Sequence, residues 1–302
     1  MSTPSLLFIL STGRSGTTSI ANMLSAVPGA VIVHERKPKL LPEAVAALRG
    51  TMPEAELVEL LRTTRDPASL GATTVAGESN QRLSFVLPAL SKAFPEARYI
   101  LLQRDGREVV DSLHHRWWYH PREAHLRHPT LREWAETRVQ GTDLAMPHAE
   151  WSEMSSFARC AWYWSIVPTL VRRDASRLGL PLLEIRLEDL SASRAALESF
   201  LSLPSGSIAA PPRSNATRSA RPSWRAWSPS MRRDFARHAG SEMDRCYPGW
   251  RDEFRWSLAD ECKGAGRRMI GLARLAKVHA IAMLGLHGTA PAQGRSPDGD
   301  AT

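Results

Sequence analysis

A short, uninterrupted apolar segment near the start of the chain is the feature that most constrains its fold. Residues 6–10 are all apolar, and a glycine-containing loop, residues 11–18, follows them. A strand without polar residues is buried on both faces, as in a parallel sheet. The next segment has apolar residues at helical spacing and ends at Pro28-Gly29. A strand, a loop and a helix in this order predict an α/β fold.

The same kinds of pattern predict the remaining elements. Further strands are expected at residues 30–33, 73–76, 98–103 and 182–185, and further helices at 83–94, 157–178 and 195–201. One or two surface helices are expected within 40–65. Ser228-Pro229 opens a later helix, because proline suits the first helical position. Together these elements predict a three-layer α/β sandwich around a mainly parallel central sheet.

One domain is expected to take up residues 1–262. Within it, residues 114–155 are rich in His, Trp, Arg and Pro and follow no clear period, so we interpret them as a variable helical insertion. Residues 263–287 predict a basic amphipathic helix, with the pattern strongest over 264–286. Residues 288–302 are rich in Gly, Pro, Asp and Ser, which predicts a disordered tail.

Charge and cysteine usage narrow the class of partner. The chain has 302 residues and a formal net charge of +8, which favours anionic partners such as nucleotides, acidic glycans or an anionic lipid surface. No long Lys/Arg run and no nucleic-acid-binding motif accompany that charge, so nucleic acid is not expected as a partner. The three cysteines have no metal-ligand spacing, which predicts free thiols in a reducing compartment.

Two segments bear on where the protein acts. The apolar segment 6–10 is too short for a signal-peptide core or a membrane span, which predicts a cytoplasmic protein. The basic helix 264–286 contains four cationic residues, so it is not expected to cross a bilayer. Two interpretations of this helix stay open: a helix docked on the protein surface or in a homodimer, and a helix in peripheral contact with a membrane.

The loop after the first strand carries the first chemical signal. Free backbone N–H groups and the helix dipole make the start of a helix favourable for an anion. Gly13 and Gly16 allow the backbone to come close to such a ligand, and Arg14 adds a forked cation. The loop also offers hydroxyl groups, from Thr12, Ser15, Thr17 and Thr18. The pattern predicts a phosphate-binding loop, although a turn without a ligand has the same composition.

This loop lacks the lysine that is typical of nucleoside triphosphatases. The Walker A motif places a lysine directly after its last glycine, where it binds the phosphates, and a hydroxyl residue after that for Mg²⁺. Here Gly16 is followed by Thr17. An enzyme that hydrolyses ATP in the usual way would therefore lack its central cation.

Two motifs, taken in order, resemble those of the sulfotransferase superfamily that uses 3′-phosphoadenosine 5′-phosphosulfate (PAPS). The loop 12–18 is similar to the family's 5′-phosphosulfate loop, with Arg14 in the place of its basic residue. The segment 104–112 is similar to the second signature, in which an arginine at a strand end is followed eight residues later by a serine. Further similarity covers 182–203 and 215–250.

The resemblance implies a P-loop NTPase-like fold and a set of residues for the donor. It implies that residues 12–18 hold the phosphosulfate, while Arg104 and Ser112 hold the 3′-phosphate that distinguishes PAPS from ordinary nucleotides. Arg218 and Arg221 are further candidates for phosphate contacts, although the lysine and glycine usual at that point are missing. The product of the reaction would be 3′-phosphoadenosine 5′-phosphate (PAP), and no metal is expected.

Fewer residues indicate how the acceptor is bound and deprotonated. Glu35 follows the second predicted strand, and the carboxyl ends of parallel strands are where ligands bind. A carboxylate there can take a proton from a hydroxyl, as the resemblance also implies, or it can pair with a neighbouring cation. His34 is the rival base. Glu78 is a candidate for contacting the acceptor or orienting Arg14, and His114 and His115 are candidates for lining the site.

These observations predict an enzyme that transfers a sulfuryl group from PAPS to a hydroxyl by in-line displacement, with Glu35 as general base. Arg14 would stabilise the negative charge on the leaving phosphate. A carbohydrate, lipid or natural-product hydroxyl fits as acceptor, and the positive charge favours an acidic one. Two alternatives stay open: a P-loop-type, ATP-dependent small-molecule kinase, and a non-catalytic protein that binds nucleotides or polyanions on the same scaffold.

Overall fold

The computed structural model describes residues 4–120, 137–210 and 223–254. Their strands are β1 (Ser5–Ser11), β2 (Ala30–His34), β3 (Val75–Ser79), β4 (Arg98–Gln103) and β5 (Leu182–Arg186). All neighbouring pairs are parallel, and the strand order in the sheet is β2-β3-β1-β4-β5. The predicted parallel sheet is therefore confirmed, with β1 at its centre.

Nine α-helices accompany the sheet within the described ranges. They are α1 (Thr17–Ser25), α2 (Leu41–Leu48), α3 (Glu54–Thr64), α4 (Leu87–Ala93), α5 (Gly106–His115), α6 (His148–Glu153), α7 (Ser156–Leu178), α8 (Arg194–Leu201) and α9 (Pro229–Cys246). Single 3-10 turns include Gln81–Phe85 and Leu187–Asp189. The long helix predicted at 157–178 is confirmed as α7.

Helices cover both faces of the sheet. Alternate side chains of β1 point to opposite faces, so each set is buried against a different group of helices. Leu7 and Ile9 are fully buried in a cluster with residues of α1 and α8. Phe8 and Leu10 are buried in a second cluster with residues of α3 and α4. A strand buried on both faces by helices is the central layer of a three-layer α/β sandwich, as predicted.

A third cluster, rich in aromatic side chains, lies among α5, α7 and α9. Trp164 on α7 is buried, and its indole N–H donates to the carbonyl of Arg104 at 3.1 Å. Trp227 is also buried, and its indole N–H donates to Asp111 on α5 at 2.7 Å. These two bonds fix the start and the middle of α5 against the rest of the domain, which matters because α5 carries Ser112.

Two predicted elements were placed wrongly. The strand predicted at 73–76 is Val75–Ser79, so Glu78 lies inside β3 and not after it. A charged residue is unusual in a buried strand, so the apolar pattern predicted that the strand ends before Glu78. The carboxylate is tolerated there because a buried arginine pairs with it. The helix predicted at 83–94 is a 3-10 turn followed by α4, since Pro88 suits the first turn of a new helix.

Several sequence predictions fall on residues outside the described ranges. These are residues 121–136 of the insertion, Arg218, Arg221, the basic helix at 263–287 and the tail at 288–302. The described part of the insertion contains the 3-10 turn Gly141–Leu144 and α6, whose Trp151 is buried in the aromatic cluster. No helix within 4–120, 137–210 or 223–254 combines the length and apolar character needed to cross a membrane.

The topology creates a crevice between β1 and β4. In the strand order, the connection from β1 leads to β2 in one direction across the sheet. The connection from β4 leads to β5 in the opposite direction. Neighbouring parallel strands whose connections diverge in this way form a topological switch point, where open α/β sheets bind ligands. The loops after Ser11 and after Gln103 both meet this crevice.

Candidate functional site

The loop after β1 has the backbone of an anion-binding turn. Gly13, Arg14 and Gly16 all have positive φ angles, at 73°, 57° and 85°. Gly16 is the N-cap of α1, and no side chain caps the first N–H groups of that helix. The N–H of Ser19 donates to the carbonyl of Gly16 at 2.9 Å. The N–H groups of Thr17 and Thr18, which precede it, lie where a helix can bind an anion. The loop therefore has a backbone that can accommodate an anion, and its binding of phosphate stays a prediction.

The loop is stiffened from inside by its own hydroxyl groups. The Oγ1 of Thr12 lies 2.8 Å from the Oγ of Ser15, and both residues are buried. Each of these hydroxyls also donates to the carbonyl of Gly13, at 3.1 and 3.2 Å. Thr18, by contrast, is exposed in the first turn of α1. Thr12 and Ser15 therefore shape the loop from inside, whereas Thr18 faces the solvent.

Both glycines are required by close neighbours as well as by φ. A Cβ at Gly13 would overlap the carboxamide of Gln81, and a Cβ at Gly16 would overlap the side chain of Leu187. Gln81 follows β3, and Leu187 follows β5. The loop is thus enclosed by turns from two other strands, which neither local composition nor periodicity indicates.

The two motifs recognised in the sequence meet directly. The Nε of Arg14 donates to the Oγ of Ser112 at 3.1 Å, and Nη1 of Arg104 donates to the carbonyl of Arg14 at 3.2 Å. Asp105 caps α5 by accepting from the N–H of Arg107 at 2.9 Å. Residues about 90 positions apart therefore form one polar surface at the β1–β4 crevice.

A further arginine, which sequence reasoning missed, joins this surface. Arg116 lies one helical turn beyond Ser112, on the same side of α5. Burial lowers the pKa of Arg14, and the positive charges of Arg116 and Arg104 lower it further. Arg104 has a partial counter-charge in Glu108, with 3.6 Å between Nη2 and Oε2. Three arginines that repel one another in this way favour a polyanionic ligand.

Glu35 lies directly after β2, where its N–H extends the ladder by donating to the carbonyl of Ser79 at 3.0 Å. Its carboxylate pairs with two cations, Lys39 at 3.0 Å and Arg82 at 3.2 Å. Burial alone would raise the pKa of Glu35, but Arg82 and Lys39 together hold it below the ordinary value. The carboxylate is therefore ionised at neutral pH, and its partners differ from the adjacent Arg36 or Lys37 that the sequence suggested.

Glu78 has a different position from the one the sequence predicted. Its carboxylate is buried and accepts from Arg65 at 3.0 Å, from Asn80 at 2.8 Å and from the N–H of Arg36 at 3.1 Å. Arg65 in turn donates to the carbonyl of Arg36 at 3.2 Å. This buried pair clamps the segment after β2. Glu78 therefore supports the loop that carries Glu35 and is not exposed to an acceptor.

The turn Gln81–Phe85 joins the two halves of the site. Gln81 contacts Gly13 of the phosphate-binding loop, and Arg82, the next residue, pairs with Glu35. At the base of the turn, Ser84 accepts from the N–H of Ser11 at 3.0 Å. Gln81 and Arg82 were not identified from the sequence. The only available signal was their position after a strand of the sheet, which becomes informative only when the strand end is placed correctly.

The three candidate histidines lie in different surroundings. His34 is the exposed last residue of β2. His115 is half exposed, and its Nδ1 lies 2.8 Å from the carbonyl of Asp111. His114 packs edge-on against the ring of Phe157, with 5.3 Å between centroids. None of these contacts joins a histidine to the loop 12–18. Among the described residues, no group of His, Cys, Asp and Glu side chains is arranged to hold a metal.

His114 is expected to make stability depend on pH. Burial lowers its pKa from 6.5 to about 4, with His115 and His120 acting in the same direction and Asp111 opposing them. As pH falls from 6.5 toward 4, the unfolded chain binds a proton that the folded protein excludes. The free energy of unfolding should therefore drop by about 3 kcal/mol over this interval.

Urea unfolding near pH 7 and near pH 4 measures this loss. The His114→Phe variant keeps the packing on Phe157 but has no titrating group, so its stability should fall less than that of the wild type. An equal fall in both proteins would show that His114 does not contribute. Comparison between the two proteins removes the effect of the carboxylates, which titrate in both.

Comparison with known proteins gives one family match. A family model described as "Sulfotransferase family" matches residues 4–152. The matched segment contains the loop 12–18, Glu35, Arg82 and the Arg104–Ser112 pair. No curated protein matches the sequence.

Three solved structures of sulfotransferases are among those that the structural comparison matches to this chain. One, from Alicyclobacillus acidocaldarius, is 17% identical with a TM-score of 0.45, covering 86% of this chain and 98% of that one. The sulfotransferase domain from the curacin biosynthetic pathway is 16% identical with a TM-score of 0.39, covering 68% and 76%. Sulfotransferase STF9 from Mycobacterium avium is 14% identical with a TM-score of 0.38, covering 68% and 65%.

Proposed function

We propose that this chain, whose residues 4–152 match a family model described as "Sulfotransferase family", transfers a sulfuryl group from PAPS to an acceptor hydroxyl. The observation that carries the proposal is the contact between the two motifs. Arg14 reaches Ser112 at 3.1 Å, and Arg104 reaches the carbonyl of Arg14 at 3.2 Å. A donor with phosphate groups at both its 5′ and 3′ positions needs two anion-binding sites next to each other.

The residues at the β1–β4 crevice suit that donor. The N–H groups at the start of α1 and the guanidinium of Arg14 would hold the phosphosulfate. Arg104 and Ser112 would hold the 3′-phosphate, and Arg116 adds a third cation near it. The glycines let Gln81 and Leu187 pack directly against the loop at Gly13 and Gly16, which holds its backbone in place. When bound, PAPS supplies an activated sulfuryl group attached to a good leaving group.

In the proposed reaction Glu35 acts as the general base. Its ionised carboxylate takes the proton of the acceptor hydroxyl while the acceptor oxygen forms a bond to sulfur. The bond between sulfur and the bridging phosphate oxygen breaks, and negative charge develops on that oxygen. Arg14 and the loop N–H groups stabilise this charge. Fixed arginines thus take the part that Mg²⁺ has in kinases.

The acceptor is proposed only as a class. A hydroxyl on a carbohydrate, lipid or natural product suits the reaction, and the formal charge of +8 favours an acidic molecule. Recognition is expected from the insertion 114–155, part of which lies outside the described residues.

The donor assignment predicts tight, metal-independent binding of PAP. Calorimetric titration with PAP, ATP and AMP, with and without Mg²⁺, measures it. Arg104→Ala should weaken PAP binding by about 10- to 100-fold, because a charge-assisted contact to the 3′-phosphate is lost. Arg177→Ala is the matched control, since it removes the same charge from the last turn of α7, which leads into the start of β5, whereas the site lies after the ends of the strands.

Other outcomes favour the alternatives. Binding of ATP that depends on Mg²⁺, without binding of PAP, would overturn the proposal in favour of a kinase. Normal PAP binding without turnover on any hydroxyl acceptor would favour a non-catalytic nucleotide-binding protein.

A further inference from the structure

Arg82 has buried hydrogen-bond donors that the described protein does not satisfy. Its side chain is only 12% exposed. Its Nε and Nη1 atoms are buried without a hydrogen-bond partner among the described residues. Nη1 lies 3.2 Å from Oε1 of Glu35, but the approach lacks hydrogen-bond alignment. Buried polar atoms are nearly always satisfied in folded proteins, so these donors point to a ligand.

These donors lie on a turn that contacts both the loop proposed to hold the phosphosulfate and the proposed base. On one side, Gln81 contacts Gly13 in the loop proposed to hold the phosphosulfate. On the other side, Arg82 contacts Glu35, the proposed base. The Oε1 of Gln81 is also buried without a described partner. In an in-line transfer, the group that lies between the leaving oxygen and the base is the sulfuryl group.

The local charge also favours an anion there. Glu35 is paired with both Lys39 and Arg82, so the described group of three carries one excess positive charge. On another side of Arg82 lies the buried ring of Tyr163. It is close enough that the charge of Arg82 acts on the pKa of the phenol. Burial raises the pKa of that phenol, which therefore stays neutral. A cation in such surroundings interacts strongly with a bound anion.

We infer that Arg82 is a catalytic residue that donates hydrogen bonds to the oxygens of the sulfuryl group during transfer. The inference rests on the proposed function and extends it to a residue outside both donor motifs. Sulfur changes its bond from the bridging phosphate oxygen to the acceptor oxygen, and the acceptor proton passes to Glu35. Arg82 keeps its protons throughout, and Nε and Nη1, which lack a described hydrogen-bond partner, donate to the sulfuryl oxygens while the bonds to sulfur change.

Comparing two nucleotides tests this assignment without an identified acceptor. PAPS and PAP share both phosphates and differ in the sulfuryl group. Arg82→Gln should weaken PAPS binding by about 10- to 100-fold, because charge-assisted bonds to the sulfuryl oxygens are lost. PAP binding should change by less than about 2-fold, which also shows that the variant is folded. Arg82→Lys, which keeps the charge without the fork, should fall between wild type and Arg82→Gln.

Two control variants make the comparison specific. Arg104→Ala should weaken PAP and PAPS equally, because the 3′-phosphate is common to both. Arg177→Gln removes a charge far from the site and should affect neither nucleotide.

Each other outcome counts against the inference. Equal losses of PAP and PAPS in Arg82→Gln would mean that Arg82 acts on the shared part of the donor. No loss of either would mean that Arg82 only orients Glu35 or binds water. If the wild type binds PAP and PAPS, such results overturn the role of Arg82 alone. If the wild type binds neither, the proposed function fails as well.

Discussion

Replacement of Glu35 by glutamine is expected to lower turnover by about 10²- to 10⁴-fold and to leave PAP binding nearly unchanged. Glutamine has the same shape and can still accept from Lys39, but it cannot take a proton. The rate of PAP formation from PAPS, with the best acceptor found in a panel of sugar, lipid and phenolic hydroxyls, measures the effect. Calorimetry with PAP measures donor binding on the same samples.

A matched substitution separates the base from a general effect of charge. Glu59→Gln removes a carboxylate from the exposed face of α3, where its only described ion pair is a loose one to Arg62 at 3.9 Å. It should turn over like the wild type. If Glu35→Gln does so too while binding PAP normally, Glu35 is not the base, and the exposed His34 becomes the next residue to test.

The pH profile should agree with the same assignment. The base must be ionised, so activity should fall as pH drops through the pKa of Glu35. Lys39 and Arg82 hold that pKa below its ordinary value of 4.5. The acidic limb of the profile should therefore lie below about pH 4.5, and loss of the cation in Arg82→Gln should move it upward.

Replacement of Gly16 by alanine is expected to weaken PAP binding by about 100-fold or more. The residue has φ at 85°, and a Cβ would overlap the side chain of Leu187. Relief of that overlap must shift the loop or the start of α1, and the N–H groups there then lose their alignment with the phosphate. Loss of two charge-assisted bonds is enough for an effect of this size. Calorimetric titration with PAP measures it.

Gly50→Ala is the control for backbone strain. Gly50 also has a positive φ, at 68°, but nothing lies within 4 Å of an added Cβ. Both substitutions should cost about 1 kcal/mol of stability through φ, whereas only Gly16→Ala should lose PAP binding. Equal PAP affinity in the two folded variants would contradict a loop whose position depends on Leu187.

The sequence by itself determined the fold class and drew attention to the two motifs, residues 12–18 and 104–112, because both depend on local pattern. An all-apolar strand followed by a glycine-containing loop and a helix identifies the central strand of a parallel sheet. The resemblance of residues 104–112 to a family signature likewise pointed to Arg104 at a strand end and Ser112 on the helix that follows. The end of β3 was not predicted correctly, because the charged Glu78 departs from the apolar pattern of a buried strand. Its buried partner, Arg65, is known only from the structure.

Only the tertiary structure decided which side chains share the site. Arg82 and Arg116 have no local signal, because an arginine on a turn or at a helix end usually faces solvent. Arg82 becomes significant because parallel strands bring the turn after β3 beside the segment after β2. Its contact with Glu35 joins residues 47 positions apart on separate elements, and the buried Tyr163 that it faces lies 81 positions away. Pairing across a sheet is a long-range property, and for that reason the composition of either segment alone does not encode it.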